Sequence, residues 1–294
     1  MRGVARAYDR VVIVFNPNST GDAQERAEEL KSGLAERAAE LPVELRPTEY
    51  AGHAREIARE EAGSGAPLVV SVSGDGGYNE VVDGLMKAGE SRAVAAVLAA
   101  GNANDHRRVV GRRPLLDAIV EGRTERLDLL RLSVDDEEPR HAHSYIGLGI
   151  TPVVALELER GGKGSIKEIL TTVRAFSRFR PFTIEVDDGR RQDFDSLVFA
   201  NIAEMAKYAT LSEDSRPDDG VFEVVLLPHS SKLRVLATAV KAAVRGLGPQ
   251  PSVREYAFRT VDPMPLQVDG EVLDLDAGAR VRVDIVAAAL ATVR

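Results

Sequence analysis

The sequence predicts an α/β fold in two domains: an α/β domain with a parallel sheet over residues 1–127, then a β-rich domain over residues 128–286. Three observations carry this. Short, wholly apolar runs alternate with helix-periodic segments through the first third of the chain. That alternation stops near Leu127, where short strand patterns follow one another without long helices between them. The chain has 294 residues, a length that suits two domains, each large enough to bury a core.

The elements follow in order. Val11–Phe15 is a continuous apolar run, the pattern of a strand covered on both faces. Ala23, Ala27, Leu30, Leu34 and Ala38 recur at helical spacing. Val43 and Leu45 alternate with polar residues as a second strand, and His53–Ala62 is a helix. Leu68–Val72 is a buried-strand run, Asn79–Lys87 a helix and Val94–Leu98 a fourth strand. Strands joined through helices imply parallel pairing with crossovers. Beyond a boundary at Arg123–Asp128, the segments around Leu127 and Leu129 and at Ser144–Leu148 read as strands, and Phe182–Val186 alternates. Asp188-Gly189, Asp219-Gly220 and Asp269-Gly270 are hairpin-type turn signals. Ser165–Phe179 and Lys232–Arg245 are helical in pattern, as insertions.

Bulk properties exclude several classes. With 44% hydrophobic and 29% charged residues the chain reads as an ordinary globular protein. It has no cysteine, so disulfides and thiolate metal sites are out; this fits the cytoplasm, although many secreted proteins also lack cysteine. The net charge of −8 argues against nucleic acid. The short basic run Arg107, Arg108, Arg112 and Arg113 reads as a solvated helix face, with phosphate or an anionic membrane surface as the alternative. The N-terminus lacks a signal-peptide core, and no apolar run approaches the roughly 20 residues needed to cross a bilayer.

Three polar loops follow strands of the first domain. They are Asn16-Pro17-Asn18-Ser19-Thr20-Gly21, Ser73-Gly74-Asp75-Gly76-Gly77-Tyr78-Asn79-Glu80 and Gly101-Asn102-Ala103-Asn104-Asp105. In an open parallel sheet such loops converge on one crevice. Glycines permit close backbone approach, and amides at a helix start favour phosphate. Asp75 beside a phosphate would be repulsive without a cation between them, which implies Mg²⁺. Together the loops point to a nucleotide site.

Six stretches resemble the diacylglycerol kinase and sphingosine kinase catalytic-domain family, in family order. VFNPNSTG looks like its first nucleotide loop, and SGDGGYNEVVDGL is similar to GGDGTxNEVxNGL. GNANDHRRVVG resembles GTxNDFARxLG, and Thr48 with Gly52-His53-Ala54 resembles TxxxGHAxELA. DDGVFEVVLLP and QVDGEVLD resemble two motifs of the second domain. The resemblance implies a nucleotide-binding α/β domain plus a β-sandwich domain, with residues 287–294 returning to the first domain and ATP in the cleft. It implies phosphoryl transfer to a hydroxyl of diacylglycerol or a related lipid, reached at the membrane surface by a cytoplasmic protein. By the same resemblance Asn16, Pro17, Asn18, Ser19, Thr20, Thr48, Ser73, Gly74, Asp75, Gly76, Gly77, Tyr78, Asn79 and Asn102 line the nucleotide. Glu271 is the base, Asp75 and Asp105 support Mg²⁺ and phosphate geometry, and Asp219 with main-chain groups of Arg216 and Val221 forms a structural metal site.

The chain departs from the family's nucleotide motifs at three places. Ser73 replaces the first glycine of GGDGT, Gly77 replaces its threonine and Asn102 replaces the threonine of GTxND; the two replaced threonines carry hydroxyls that belong to nucleotide contacts. Asn201–Asp214 stands where relatives carry a glycine-rich acceptor segment. The alternatives are therefore an NAD kinase-like enzyme and a catalytically weak nucleotide-binding relative; a homodimer stays open. Gly161-Gly162-Lys163-Gly164-Ser165 lacks P-loop spacing and reads as a loop. His141 and His143 read as a solvated strand face, and His53 as a packing residue at a helix start.

Overall fold

The computed structural model describes residues 6–19, 22–101, 104–111, 113–149, 181–186, 189–205, 209–212, 214–230, 234, 238, 241 and 245–294. The chain divides into two compact units, Met1–Leu129 with Ala287–Arg294, and Leu130–Val286.

The first unit runs β1 (Arg10–Phe15), α1 (Ala23–Arg37), β2 (Val43–Pro47), α2 (His53–Ala62), β3 (Pro67–Ser73), α3 (Asp75–Lys87), β4 (Val94–Ala99), α4 (Asp105–Val110), α5 (Leu115–Glu121) and the first part of β5 (Thr124–Val134). Its strands are parallel, in the order β2-β1-β3-β4. The apolar runs are the reason: Val11, Val12, Ile13, Leu68, Val69 and Val70 are wholly buried because both sheet faces are covered. On one face Ala27, Leu30 and Leu34 of α1 and Ile119 of α5 pack on Ile13, Leu68 and Val70. On the other, Ile57 and Ala58 of α2 and Val81 and Val82 of α3 pack on Val12, Val14 and Val69.

The second unit continues β5 with β6 (Arg140–Ala142), β7 (Tyr145–Gly149), β8 (Phe182–Val186), β9 (Arg191–Ala200), β10 (Glu204–Met205), β11 (Ala209–Thr210) and β12 (Phe222–Pro228). It closes with β13 (Ser252–Val253), β14 (Glu255–Thr260), β15 (Met264–Val268), β16 (Glu271–Leu275) and the start of β17 (Arg280–Val293). Its pairings are antiparallel: β9 lies between β7 and β8 and also pairs β12, and β15 lies between β7 and β16. Alternate side chains point inward to one core that includes Leu148, Ile184, Phe194, Phe199, Phe222, Phe258, Leu266 and Val281. Phe199 meets Phe222 edge-on, centroids 5.8 Å apart.

Asp269-Gly270 is the hairpin turn that its sequence predicts. Val268 pairs with Glu271, leaving a two-residue loop with φ of +45° and +102°, the positive angles of a type I′ turn. Asp219-Gly220 is not a hairpin: β12 after it pairs with β9 and β13, not with the preceding β11. The helix expected at Ser165–Phe179 and the loop at 161–165 lie outside the described residues. Of the one expected at Lys232–Arg245, only Arg234, Thr238, Lys241 and Arg245 are described, and they are helical.

Candidate functional site

Sheet order locates the site. From β1 the chain steps to β2 on one side and then to β3 and β4 on the other, so the loops after β1 and β3 flank the point where the order reverses. Open α/β sheets bind ligands at that point, beyond the strand carboxyl ends. After β1, Asn16, Pro17, Asn18 and Ser19 are all exposed. Asn16 shapes them into a turn: its Oδ1 accepts the Asn18 N–H (2.9 Å) and its carbonyl the Ser19 N–H (3.2 Å). The Thr48 N–H donates to the Phe15 carbonyl at 2.8 Å, tying the end of β2 beside that turn. Thr20 and Asn102 lie outside the described residues.

The loops after β3 and β4 touch backbone to backbone. The Ala100 N–H donates to the Ser73 carbonyl (2.9 Å), and a Cβ on Gly101 would fall 2.3 Å from the Gly74 Cα. Only glycine fits that approach. Helix α3 begins at Asp75, four residues before the expected start, so Gly76, Gly77 and Tyr78 form its first turn. No side chain caps it, and amides of a first helical turn have no partner within the helix.

The acidic residues of these loops accept hydrogen bonds from α4. Asp75 accepts the N–H groups of Asp105 (3.0 Å) and His106 (3.2 Å), one on each carboxylate oxygen, and thereby caps α4. The Asp105 side chain is wholly buried and takes Arg108 Nη1 at 3.1 Å. Among the described residues no three His, Cys, Asp or Glu side chains lie together as metal ligands. Tyr78 and Asn79, expected to line a nucleotide, are 1% and 2% exposed; their side chains are core, with Tyr78 against His106.

The rest of that signature packs α3 on α2. A Cβ on Gly84 would lie 2.2 Å from the Arg55 carbonyl, so glycine sets the closeness of the two helices. Asp83, 1% exposed, receives Arg55 at 2.8 Å and Lys87 at 3.3 Å. Glu80 Oε1 accepts the Gly52 N–H at 3.3 Å, at the start of α2. His53 accepts the Glu49 N–H (3.1 Å) and stacks on Tyr50 at 4.5 Å, the packing role expected of it.

In the second unit Glu271 opens β16, half-exposed, and pairs with Arg140 Nη1 at 2.8 Å. Asp269, just before it, is wholly buried. Its Oδ1 accepts the N–H groups of Ser144 (3.1 Å) and Tyr145 (2.9 Å), and its Oδ2 that of His143 (2.6 Å). His143 Nε2 lies 3.3 Å from the same carboxylate. The solvated face expected for His143 is thus corrected: the ring is 0% exposed, with Asp269 and Ser144 Oγ as its partners. Asp219 accepts the Val221 N–H at 3.1 Å, closing a local turn, while Arg216 reaches Asp218 at 3.5 Å.

Residues 10–132 match the family model described as the diacylglycerol kinase catalytic domain. That match covers less than half of the chain and lies almost wholly within the first unit. A protein of Chromohalobacter salexigens named "Probable lipid kinase YegS-like" is 27% identical over 241 residues, 77% of this chain and 76% of that one. A diacylglycerol kinase of Bacillus subtilis is 24% identical, covering 89% of each chain. A solved diacylglycerol kinase from Bacillus anthracis str. Sterne shares the fold, with a TM-score of 0.74 at 18% identity over 99% of this chain and 98% of that one.

In the second unit, sequence reasoning named Glu271 but missed its neighbour. The available signal was the invariant demand of an Asp-Gly turn for positive φ, which a plain hairpin satisfies without burying the aspartate. What sequence did not carry was the segment 143–145 that Asp269 holds, more than a hundred residues away.

Proposed function

We propose that this protein is an ATP-dependent kinase that transfers the γ-phosphoryl group to a hydroxyl of diacylglycerol or a related lipid. The observation that carries the reading is the meeting of Gly74 and Gly101 at the carboxyl ends of β3 and β4, beside the reversal point of the sheet and inside the family's domain. The names of the YegS-like and Bacillus subtilis relatives support the acceptor class. In this reading Asn16–Ser19, Thr48 and the first turn of α3 hold the nucleotide, and Mg²⁺ arrives with ATP as part of the substrate. Asp75 fixes α4 and its loop. The acceptor oxygen attacks the γ-phosphorus, its proton passes to the Glu271 carboxylate, and ADP leaves. Arg140 gives up Glu271 as the hydroxyl arrives. In this reading the lipid is met at the membrane surface; no helix among the described residues is long and apolar enough to cross a membrane.

The test is turnover of labelled ATP with Mg²⁺ against a panel of lipids and against NAD. Phosphorylated lipid supports the reading, phosphorylated NAD replaces it with an NAD kinase, and binding without turnover makes the chain a nucleotide-binding relative. ATP at 100 times its dissociation constant should also stabilise the protein by about 2.7 kcal/mol. The proposed cation at Asp219, held with main-chain carbonyls of Arg216 and Val221, is tested by an anomalous map after a manganese soak; no peak there removes it.

A further inference from the structure

The basic run read from sequence as a solvated helix face divides in the structure. Arg108 pairs with Asp105 and Arg113 with Glu121, while Arg112 lies outside the described residues. Arg107 is half-buried rather than solvated. Its guanidinium donates to the Arg113 carbonyl and lies over Gly111. Among the described residues it has no carboxylate partner. Burial, with no acid to offset it, holds the Arg107 pKa below the ordinary arginine value. A cation drawn out of water without a counter-ion destabilises the fold, and an arriving anion relieves that cost.

Arg107 lines a groove of about 580 Å³ between α1, the end of β4 and the start of α5, a volume typical of small-molecule sites. Its apolar lining includes Leu30 and Leu115, which are buried, and Leu98 and Leu116, which are half-buried. Arg26 of α1 also lines it, donates to the Ala99 carbonyl at 2.6 Å and has no carboxylate partner among the described residues. We propose that this groove binds an amphiphile with one anionic head, a phosphate monoester or a carboxylate. The head meets Arg107 and Arg26, and the hydrocarbon body covers Leu98 and Leu116. Charge-assisted bonds to guanidinium hold the head, and removal of the half-buried leucines from water holds the body. Asp22, Glu25 and Glu29, all exposed, line the groove from α1. Their charges oppose a polyphosphate and leave the arginines to a single anionic group. None of the described residues expected to hold a nucleotide lines this groove.

The experiment is calorimetry on the full chain with decyl phosphate, decanoate, inorganic phosphate and decyl maltoside, each below its micellar concentration. At least one of the two anionic amphiphiles should bind, and the tighter of them identifies the head. Inorganic phosphate lacks the body and decyl maltoside lacks the charge, so each should bind at least about 10-fold more weakly. Arg107→Gln should weaken the anionic amphiphile by about 10- to 100-fold, the worth of one hydrogen bond to a charged group. Its melting temperature without ligand should be unchanged or higher, because an uncompensated cation is gone. Arg26→Gln, at an exposed position, should weaken the same ligand by a smaller factor. Saturating Mg²⁺–ATP should leave the affinity unchanged. No binding of either anionic amphiphile overturns the proposal, and so does equal affinity of wild type and Arg107→Gln. Decyl maltoside binding as tightly as decyl phosphate overturns the role of the arginines. Displacement by ATP assigns the ligand to the nucleotide site and overturns a separate groove. If Arg107→Gln melts lower than wild type, Arg26→Gln carries the test, and unchanged affinity there overturns the proposal.

Discussion

Asp269 accepts the backbone N–H of Tyr145 at 2.9 Å, and both residues lie inside the second unit with the aspartate wholly buried. The same carboxylate gathers the amides of His143 and Ser144. The strained left-handed backbone at Asp269 is thus held by the start of β7, and it aims the hairpin on which Glu271 stands. Asp269→Ala takes the acceptor from the buried amides of His143, Ser144 and Tyr145 and removes the carboxylate beside the His143 ring. It should cost about 3–5 kcal/mol of stability, measured by urea unfolding. Asp269→Asn keeps one oxygen acceptor and should cost less; equal losses for the two variants would show that the charge, not the geometry, is what matters.

Glu271→Gln keeps size and hydrogen bonding but cannot take a proton. As the proposed general base, its loss should reduce turnover by about 10²–10⁴-fold with ATP affinity unchanged. Full turnover in the variant moves proton transfer elsewhere. A collapse of ATP affinity instead would make the Arg140–Glu271 pair a structural tie.

Asp75→Ala removes the acceptor of two amides at the start of α4. The loss expected for a helix cap is about 0.5–2 kcal/mol, and it should appear in unfolding experiments without ATP or Mg²⁺. If stability holds and only the Mg²⁺-dependent part of ATP binding disappears, Asp75 acts on the metal that comes with the nucleotide.

Glu223, on β12 and 3% exposed, has its carboxyl pushed above the ordinary range, first by burial and further by the charge of Asp219, against hydrogen bonding that includes Ser215 and Ser252. The unfolded chain then ionises before the folded one. As pH rises above the ordinary glutamate value the folded state retains the extra proton, and stability falls until the folded carboxyl has titrated. Glu223→Gln should match wild type in unfolding free energy near pH 4 and exceed it at pH 7. A variant less stable than wild type at pH 7 would mean that the ionised carboxylate is held by a cation or another donor.

The first unit was the more legible part of the fold. Its strands are covered on both faces, so Val11–Phe15 and Leu68–Val72 carry uninterrupted apolar runs, and the buried face of α1 falls on Ala27, Leu30 and Leu34 as its periodicity requires. The start of α3 was not legible, because Gly76 and Gly77 look like loop residues and only their contacts show a helical turn. Glycines also looked alike in sequence, yet Gly101 serves a loop contact, Gly84 a helix contact and Gly77 the volume of Ser73. The burial of His143 depends on Asp269, a partner that no local pattern can announce.

The order in which the chain is synthesised gives one strand a special standing. Thr292 of β17 lies beside Ala95 of β4, its Oγ1 donates to the Ala95 carbonyl (2.9 Å), and Leu290 is buried in the core of the first unit. On the ribosome, residues 1–129 emerge long before these, so the flank of β4 waits open while the whole of the second unit is made. An open strand edge invites pairing with other chains. A nascent chain halted after the first unit is therefore an adhesive fragment rather than a finished domain, and it is the arrival of residues 287–294 that closes the sheet.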